Sequence, residues 1–508
     1  MEQALNGARK LAAAVILTDT TGIFIPGSRA SLKGIHASEV LSDWAPKAIR
    51  SLLELGIFND IIYDTVRFRH REIRELLAAE WFDSLLQSGA DRSSIAALFF
   101  REQYGEKIIT PRLRSVLSWL ILFDDSFYQQ AISIAPGIAL EGGDPAILPL
   151  PTRERLLERV VLEIATNKDG RGPRENSAIA RIAREDLSLK TVELVKEYFD
   201  NDDAIFFIGR LVWQGKMVDA LVLFESIALD NNRDIYTRIA SVRAIATLAE
   251  PNHSEELWAK LNCSAHAIEQ RLLAELVEEA HPNLHNVDHL LNSLEVIECD
   301  KRKSDFYSLR NAMADFLSKV TIDNNVEVLN KLLDGFDRLF SYSPFIDNKY
   351  CKVSANHAWL ISYAALMLEK MIESKCELAL SQRALSVLIY ISQVKSWGYR
   401  EYDDYEDSLG ELIPKWSGLN DALYWETIYQ ARAHLEREDQ SVTDDWDVSS
   451  HNCFWEFDES SYTRLLNSIP SLEFLDEQLV ALSTVIQLYW WFNKPKKMLE
   501  DLKVAAQT

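Results

Sequence analysis

Apolar residues recur at helical spacing along most of the chain, starting with its first turns. One face of the first predicted helix is formed by Ala4, Leu5, Ala8, Leu11, Ala12, Val15 and Ile16. A short helix and a longer one follow, and then two short β-prone runs, residues 57–63 and 65–69, turn at Asp64. A helix over residues 71–87 comes next. Three helices and a hairpin in this order predict a winged-helix domain over residues 1–90.

Beyond residue 90 the pattern is almost purely helical, so we expect an all-α protein. Paired antiparallel helices at a spacing of about 35–45 residues are typical of an α-solenoid. Residues 234–249 resemble the second helix of a HEAT repeat, because small residues stand where neighbouring helices must approach closely. The expected order is a helical connector, a HEAT-like α-solenoid and an acidic, tryptophan-rich helical sensor region, over residues 91–150, 151–395 and 396–508. The aromatic run at residues 489–492 is expected to pack against the solenoid end; the alternative is that it lines a ligand-binding site.

The composition is that of an ordinary globular protein, with 47% hydrophobic and 26% charged residues among 508. No apolar run approaches the roughly 18–20 residues that a membrane span needs, and the N-terminus lacks the order of a signal peptide. The five cysteines are widely spaced and form no C-x-x-C pair, which is typical of reduced thiols. We therefore expect a cytoplasmic protein without membrane contact.

The net charge of −23 argues against direct nucleic-acid binding, because a polyanion needs a basic footprint. Residues 43–55, which would form a DNA-recognition helix, carry only Lys47 and Arg50 as basic side chains. A packing or regulatory role for the winged helix is therefore favoured. The acidity is concentrated: residues 401–459 contain seventeen acidic and three basic residues, so they contribute −14 to the total.

Acidic and aromatic side chains are interleaved in this acidic segment. The candidate ligand-binding residues are Tyr402, Asp403, Asp404, Tyr405, Asp444, Asp445 and Trp446. Aromatic residues anchor protein interfaces and charge steers association, so this set would suit a basic protein partner. The alternative is an ordinary solvated acidic surface above a tryptophan-rich core. The tryptophans interleaved with the acidic residues are Trp397, Trp416, Trp425, Trp446 and Trp455.

The most specific motif lies where the predicted hairpin meets the following helix. It consists of Phe68, His70, Glu75, Leu76, Leu77, Ala78 and Ala79. This pattern resembles the end of the winged-helix domain in NACHT-type STAND nucleotide switches, with Leu76 where that family usually has an aromatic residue. The resemblance implies that His70 contacts the terminal phosphate of bound ADP and holds the switch closed. A histidine at a helix N-terminus is suited to an anion; the alternative is that His70 is bonded locally.

The chain contains no sequence that could hold most of a nucleotide. No G-x-x-x-x-G-K-[ST] string occurs, and no catalytic triad or paired-carboxylate site can be argued. We therefore expect a non-enzymatic chain without a cofactor of its own. ADP or ATP would bind in an intact parent protein, with the NTPase module either preceding this chain in one longer protein or lying in another chain.

No metal site is predicted. His281, His285 and His289 follow one another at intervals of four, and helical histidines at this spacing can bind zinc. Pro282 is expected to begin a new helix and to separate His281 from the other two, which leaves no third ligand. A solvated helix face is therefore favoured. The acidic segment also lacks the spacing and central glycine of an EF-hand.

The resemblance implies a function in signalling, which in bacteria means antiviral defence against phage. The solenoid would bind a protein ligand, for example a phage-derived one, and binding would release His70 from ADP. The NTPase module, in cis or in trans, would then exchange its nucleotide and oligomerise. The alternative is a self-standing α-solenoid adaptor or scaffold for protein–protein interaction, without nucleotide control.

Overall fold

Helices make up nearly all of the regular structure, so the all-α fold class is confirmed. The computed structural model describes residues 2–28, 34–135, 137–166, 176–264, 266–297, 304–322, 325–347, 351–397, 408–437, 454–459 and 462–505. Its contacts divide the chain into two compact units, Met1–Ser254 and Glu255–Thr508. The finer four-domain division stays a prediction. Among the helices within these described ranges, none is both long and apolar enough to cross a membrane.

The first unit begins with helices and short strands and continues as helices alone. Its elements are α1 Glu2–Thr18, β1 Ile23–Phe24, β2 Ile35–His36, α2 Ala37–Val40, α3 Pro46–Leu53, β3 Thr65–Val66, α4 Arg71–Gln87, α5 Arg92–Phe99, β4 Phe100–Gln103, β5 Glu106–Ile109, α6 Arg114–Leu120, α7 Asp125–Ile134, α8 Ile138–Glu141, α9 Leu150–Thr166, α10 Asn176–Ile182, α11 Ser188–Glu197, α12 Asp202–Gly215, α13 Leu221–Leu229 and α14 Ile235–Leu248. Helix α15, Pro251–Asn262, spans the division between the units.

In its described ranges the second unit is helical except for one small hairpin. Its elements are α16 Gln270–Glu279, α17 Leu284–Val296, α18 Ser304–Ser318, α19 Val326–Phe340, β6 Phe345–Asp347, β7 Cys351–Ser354, α20 Ile361–Glu373, α21 Gln382–Trp397, α22 Leu409–Leu412, α23 Ser417–Arg437, α24 Tyr462–Ser468, α25 Leu475–Trp491 and α26 Lys496–Ala505.

The N-terminal hairpin is present but is mostly irregular. Single bridges join Phe58 to Phe68 and Ile62 to Thr65, and Tyr63 and Asp64 form the turn with positive φ angles of 49° and 58°. Strand β3 pairs antiparallel with β1, which also pairs parallel with β2. The turn at Asp64 and the helix from residue 71 thus form where the sequence predicts them. The assignment of this region as a winged helix stays a prediction.

Helices two positions apart in the chain pack against each other, which is the arrangement of a helical-repeat solenoid. In the first unit α10 packs on α12 and α12 on α14. In the second unit α16 packs on α18, α17 on α19, α19 on α21, and α21 on α23. Each helix thereby covers the apolar face of a neighbour that it does not follow directly. The predicted helical-repeat organisation agrees with this packing.

Small residues permit the closest of these approaches. The helix predicted at residues 234–249 is α14, capped by Asp234, whose carboxylate accepts a hydrogen bond of 2.9 Å from the Tyr236 amide. Gly209 of α12 lies against Ala240 of α14, and a Cβ on Gly209 would come within 3.1 Å of the Ala240 Cβ. Gly335 of α19 lies still closer to α17, where a Cβ would be 2.5 Å from Leu291 Cδ1 and nearer to Cδ2.

Gly335→Ala should destabilise the second unit, because the added methyl group would overlap the buried Leu291 side chain. Overpacking a core costs about 1–3 kcal/mol, which exceeds the gain of about 1 kcal/mol in helix propensity. The matched control is Gly410→Ala in α22, where the nearest atom is 3.9 Å away. Urea unfolding followed by circular dichroism should show a lower midpoint for the first variant only. Equal midpoints would contradict the close α17–α19 contact.

Candidate functional site

His70 lies at the start of α4, as the motif predicts. It is the N-cap residue, in an extended conformation with φ −120° and ψ 133°, and its exposed side chain caps none of the amides of α4. The His70 side chain therefore does not make a capping hydrogen bond, which is one form of the local bonding that the alternative proposes. The exposed imidazole beside the first helical turn is accessible to an anion from outside this chain.

The other motif residues have packing roles. The Phe68 ring packs on Phe58 with centroids 4.7 Å apart, and Leu77, Ala78 and Ala79 are buried in α4, which packs on α1 and α6. The buried Glu75 carboxylate accepts a hydrogen bond of 2.6 Å from Arg71. The motif thus fixes the position of α4 and leaves His70 as its exposed member.

The seven acidic and aromatic candidates of the C-terminal region lie outside the described residues. Tyr402, Asp403, Asp404, Tyr405, Asp444, Asp445 and Trp446 therefore stay predictions. Two of the neighbouring tryptophans, Trp425 and Trp455, are described and pack against a core centred on Tyr424, with the Trp455 ring 4.9 Å from that of Tyr424. For these two residues the alternative of a tryptophan-rich core holds.

The histidines considered for zinc take separate structural positions. Helix α17 begins at Leu284 after the N-cap Asn283, so His281 precedes it while His285 and His289 lie on it. The His289 ring packs on Trp258, and burial lowers the pKa of His289. Within the described part of the chain, no group of three potential ligands is arranged to hold a metal ion.

Helix α25 has apolar residues on two opposite sides. Its inner side, with Val480, Ala481 and Val485, is buried in the core that it shares with α23, α24 and α26. Its outer side carries five exposed apolar residues, which we call the outer stripe: Leu475, Leu479, Leu482, Ile486 and Trp490. Leu475 is 70% exposed and Trp490 59%. An apolar helix face is normally covered by a neighbouring element, and none of the described residues covers the outer stripe.

The aromatic run at residues 489–492 divides between the two sides. Tyr489 and Phe492 pack against the same core, which lies in the C-terminal region and not at the end of the predicted solenoid. Trp490 and Trp491 are exposed, Trp491 to 82%, so the packing prediction is wrong for them. The Lys494 ammonium lies 3.7 Å from the centre of the Trp490 ring. Consecutive helical residues point in different directions, and four aromatics in a row therefore cannot all face the core.

Sequence reasoning missed the outer stripe, although its spacing was readable. The intervals of four, three, four and four residues place all five side chains on one helical face.

Comparison of the chain with known protein families, with curated proteins and with solved structures finds no match. The function must therefore be argued from the residues themselves.

Leu479→Ala should change the free energy of unfolding by no more than about 0.5 kcal/mol, because the side chain is already 48% exposed. The matched substitution Leu465→Ala, in the core beneath the same helix and 3% exposed, should cost about 2–5 kcal/mol. Guanidinium unfolding followed by tryptophan fluorescence measures both. A loss at Leu479 as large as that at Leu465 would mean that the outer stripe is covered.

Proposed function

We propose that this chain is the regulatory and sensor portion of a STAND-type nucleotide switch, which recognises a protein partner through its helical repeats and performs no catalysis itself. The observation that carries the binding role is the outer stripe of α25. Five exposed apolar side chains on one helix face form the kind of surface that marks protein interaction sites. Their exposure costs hydrophobic free energy that a partner would recover.

The geometry of the outer stripe favours a helical partner segment. From Leu475 to Trp490 it follows one helix for about 22 Å, at 1.5 Å per residue. Its side chains are three or four residues apart, which is the spacing of the contact residues when two helices pack side by side. The aromatic end supplies an anchor of the type that dominates binding energy at interfaces. An amphipathic helix of the partner would cover this line of residues.

The charges beside the outer stripe favour an acidic partner. Exposed lysines follow its C-terminal end at Lys494, Lys496, Lys497 and Lys503. The acidic residues of the same stretch are Glu500 and Asp501, and Asp501 accepts a hydrogen bond from the Tyr462 hydroxyl. A basic group at one end of an apolar surface steers association with a negatively charged segment. The acidic partner favoured here differs in charge from the basic partner predicted for the acidic segment. The two partners would bind at separate surfaces.

The link to a nucleotide rests on the resemblance at residues 68–79 and on His70. An exposed histidine at a helix start can donate a hydrogen bond to a phosphate oxygen. The ADP would be held by an NTPase module in cis or in trans. Partner binding shifts such a switch only if the partner prefers the open state over the closed one. A phage-derived partner and assembly into an oligomer on activation belong to the same proposal.

A self-standing adaptor is the second candidate, and a surface in the first unit favours it. Leu189 and Val222 are 77% and 73% exposed. The Ser188 hydroxyl donates a hydrogen bond of 2.9 Å to Asp219, which brings α11 beside the turn that precedes α13. A second exposed apolar surface would allow one chain to bind two proteins without any nucleotide.

The binding role predicts that a photo-crosslinking amino acid at position 486 captures a protein partner in cells of the source organism. The captured protein, once purified, should bind the full chain. Leu479→Lys should weaken that binding at least tenfold, because a charge would be buried in the interface. Isothermal titration calorimetry measures the affinity. The matched control is Leu162→Lys on α9, at 50% exposure. Equal affinities of wild type and Leu479→Lys would contradict the proposal.

The nucleotide link predicts that His70→Ala speeds release of fluorescent ADP from the complete switch in the absence of partner. Loss of a hydrogen bond to a charged group corresponds to about tenfold or more in rate. His266→Ala, an exposed histidine in the second unit, should leave the rate unchanged. An unaltered rate in His70→Ala, or a genome with no NTPase module upstream in frame or in a neighbouring gene, would leave the adaptor function instead.

A further inference from the structure

A polar cleft in the first unit carries a second binding site. It lies between the end of α1, the first turns of α4, the start of α6 and the last residue of α8, and its volume is about 530 Å³. Four arginines line it, namely Arg71, Arg74, Arg112 and Arg114. Ligand sites for small molecules span about 300–1,000 Å³, so the cleft has room for a small ligand. His70 does not line it, and the site is independent of the proposed function.

Two of the four arginines are neutralised within the protein. Arg71 donates a hydrogen bond of 2.6 Å to Glu75, and Arg114 donates two of 2.5 Å to Glu141. In both pairs the hydrogen bond to the carboxylate raises the pKa of the arginine above its ordinary value. These pairs form walls of the cleft and leave Arg74 and Arg112 as the cations available to a ligand.

Arg74 has a donor that no described residue satisfies. Its Nε atom is buried and has no hydrogen-bond partner among the described residues. Leaving a buried donor unpaired is costly, more so on a charged group. The neighbouring Glu75 carboxylate is taken up by Arg71. Because Arg74 also lines the cleft, an anion bound there would lie beside this incompletely paired guanidinium group.

Arg112 is held in place at the rim of the same cleft. Its Nη1 donates a hydrogen bond of 2.9 Å to the Leu17 carbonyl at the end of α1. A guanidinium has five donors in one plane, so this single bond leaves the others free to face a ligand. Two guanidinium groups around one cleft suit a tetrahedral dianion, to which arginine donates paired hydrogen bonds.

We propose that the cleft binds a small phosphorylated molecule that also carries hydroxyl groups. Arg74 and Arg112 bind its phosphate. The exposed Asp19 carboxylate accepts hydrogen bonds from the hydroxyl groups of the ligand. Thr21 and Ser115 line the same cleft, and their hydroxyls can donate to the ligand or accept from it. Because the cleft is built from α1, α4, α6 and α8, the ligand also ties these helices together and stabilises the first unit.

The test is calorimetric titration of the full chain with inorganic phosphate and with pyrophosphate at fixed ionic strength. We expect saturable binding at millimolar or lower concentration. Arg112→Ala and Arg74→Met should each weaken it about 10–100-fold, because each removes charged hydrogen bonds. The control Arg101→Ala changes an exposed arginine of β4 and should bind as wild type does. Circular dichroism verifies folding, and the exposed Arg112 gives a variant that folds normally.

Absence of saturable binding would overturn the proposal, and so would unchanged affinity in Arg112→Ala. Acetate serves as a monoanionic competitor. If acetate displaces pyrophosphate at equal concentration, the site is a general anion site and the phosphate assignment is wrong. Failure of partner binding at the outer stripe would leave all of these results unaffected, because that surface belongs to the other unit.

Discussion

A helix of this chain buries its apolar face by stacking on a helix two positions away. In the second unit α17 packs on α19 and α19 on α21, and Gly335 of α19 leaves the space that the Leu291 side chain of α17 occupies. One helix pair cannot bury its hydrophobic surface alone, so each pair depends on the next. Helix α25 shows the consequence. Its inner side has a neighbour, and among the described residues nothing covers its outer one.

Local charge determines what these surfaces can bind, more than the total does. The chain carries −23, yet the cleft is lined by four arginines and the outer stripe ends in a group of lysines. Both features attract negative groups within about 10 Å, a distance over which salt screens the attraction only in part. The total charge argues against a nucleic-acid footprint. It says nothing about a small anion or an acidic helix.

The sequence predicts local structure well where the periodicity of apolar residues is enough to identify a helix or a strand. The helix expected at residues 71–87 is α4, and the one expected at 234–249 is α14 within one residue at each end. The turn at Asp64 follows from the β-prone runs around it. Periodicity cannot tell whether an apolar face has a neighbour, however. The pattern at 489–492 predicts packing against the solenoid end, yet Trp490 and Trp491 are exposed.

The cleft was beyond sequence reasoning for a different reason. Asp19, Arg74, Arg112 and Glu141 are separated by tens of residues and meet only because α1, α4, α6 and α8 pack together. His70 can be singled out from the sequence because its motif is contiguous and lies at one junction between a hairpin and a helix. Its position at the helix start is as expected, while its partner would come from outside this chain.

Carbene footprinting of the isolated full chain tests the central claim most directly, because it labels side chains in proportion to their exposure. We expect strong labelling of Leu475, Leu479 and Ile486. Val480 and Val485 on the same helix should be labelled little, because they are buried. Adding the partner captured at position 486 should then protect the first three alone. If the outer residues are already as protected as Val480 in the isolated protein, α25 has no free face and the proposed binding surface does not exist.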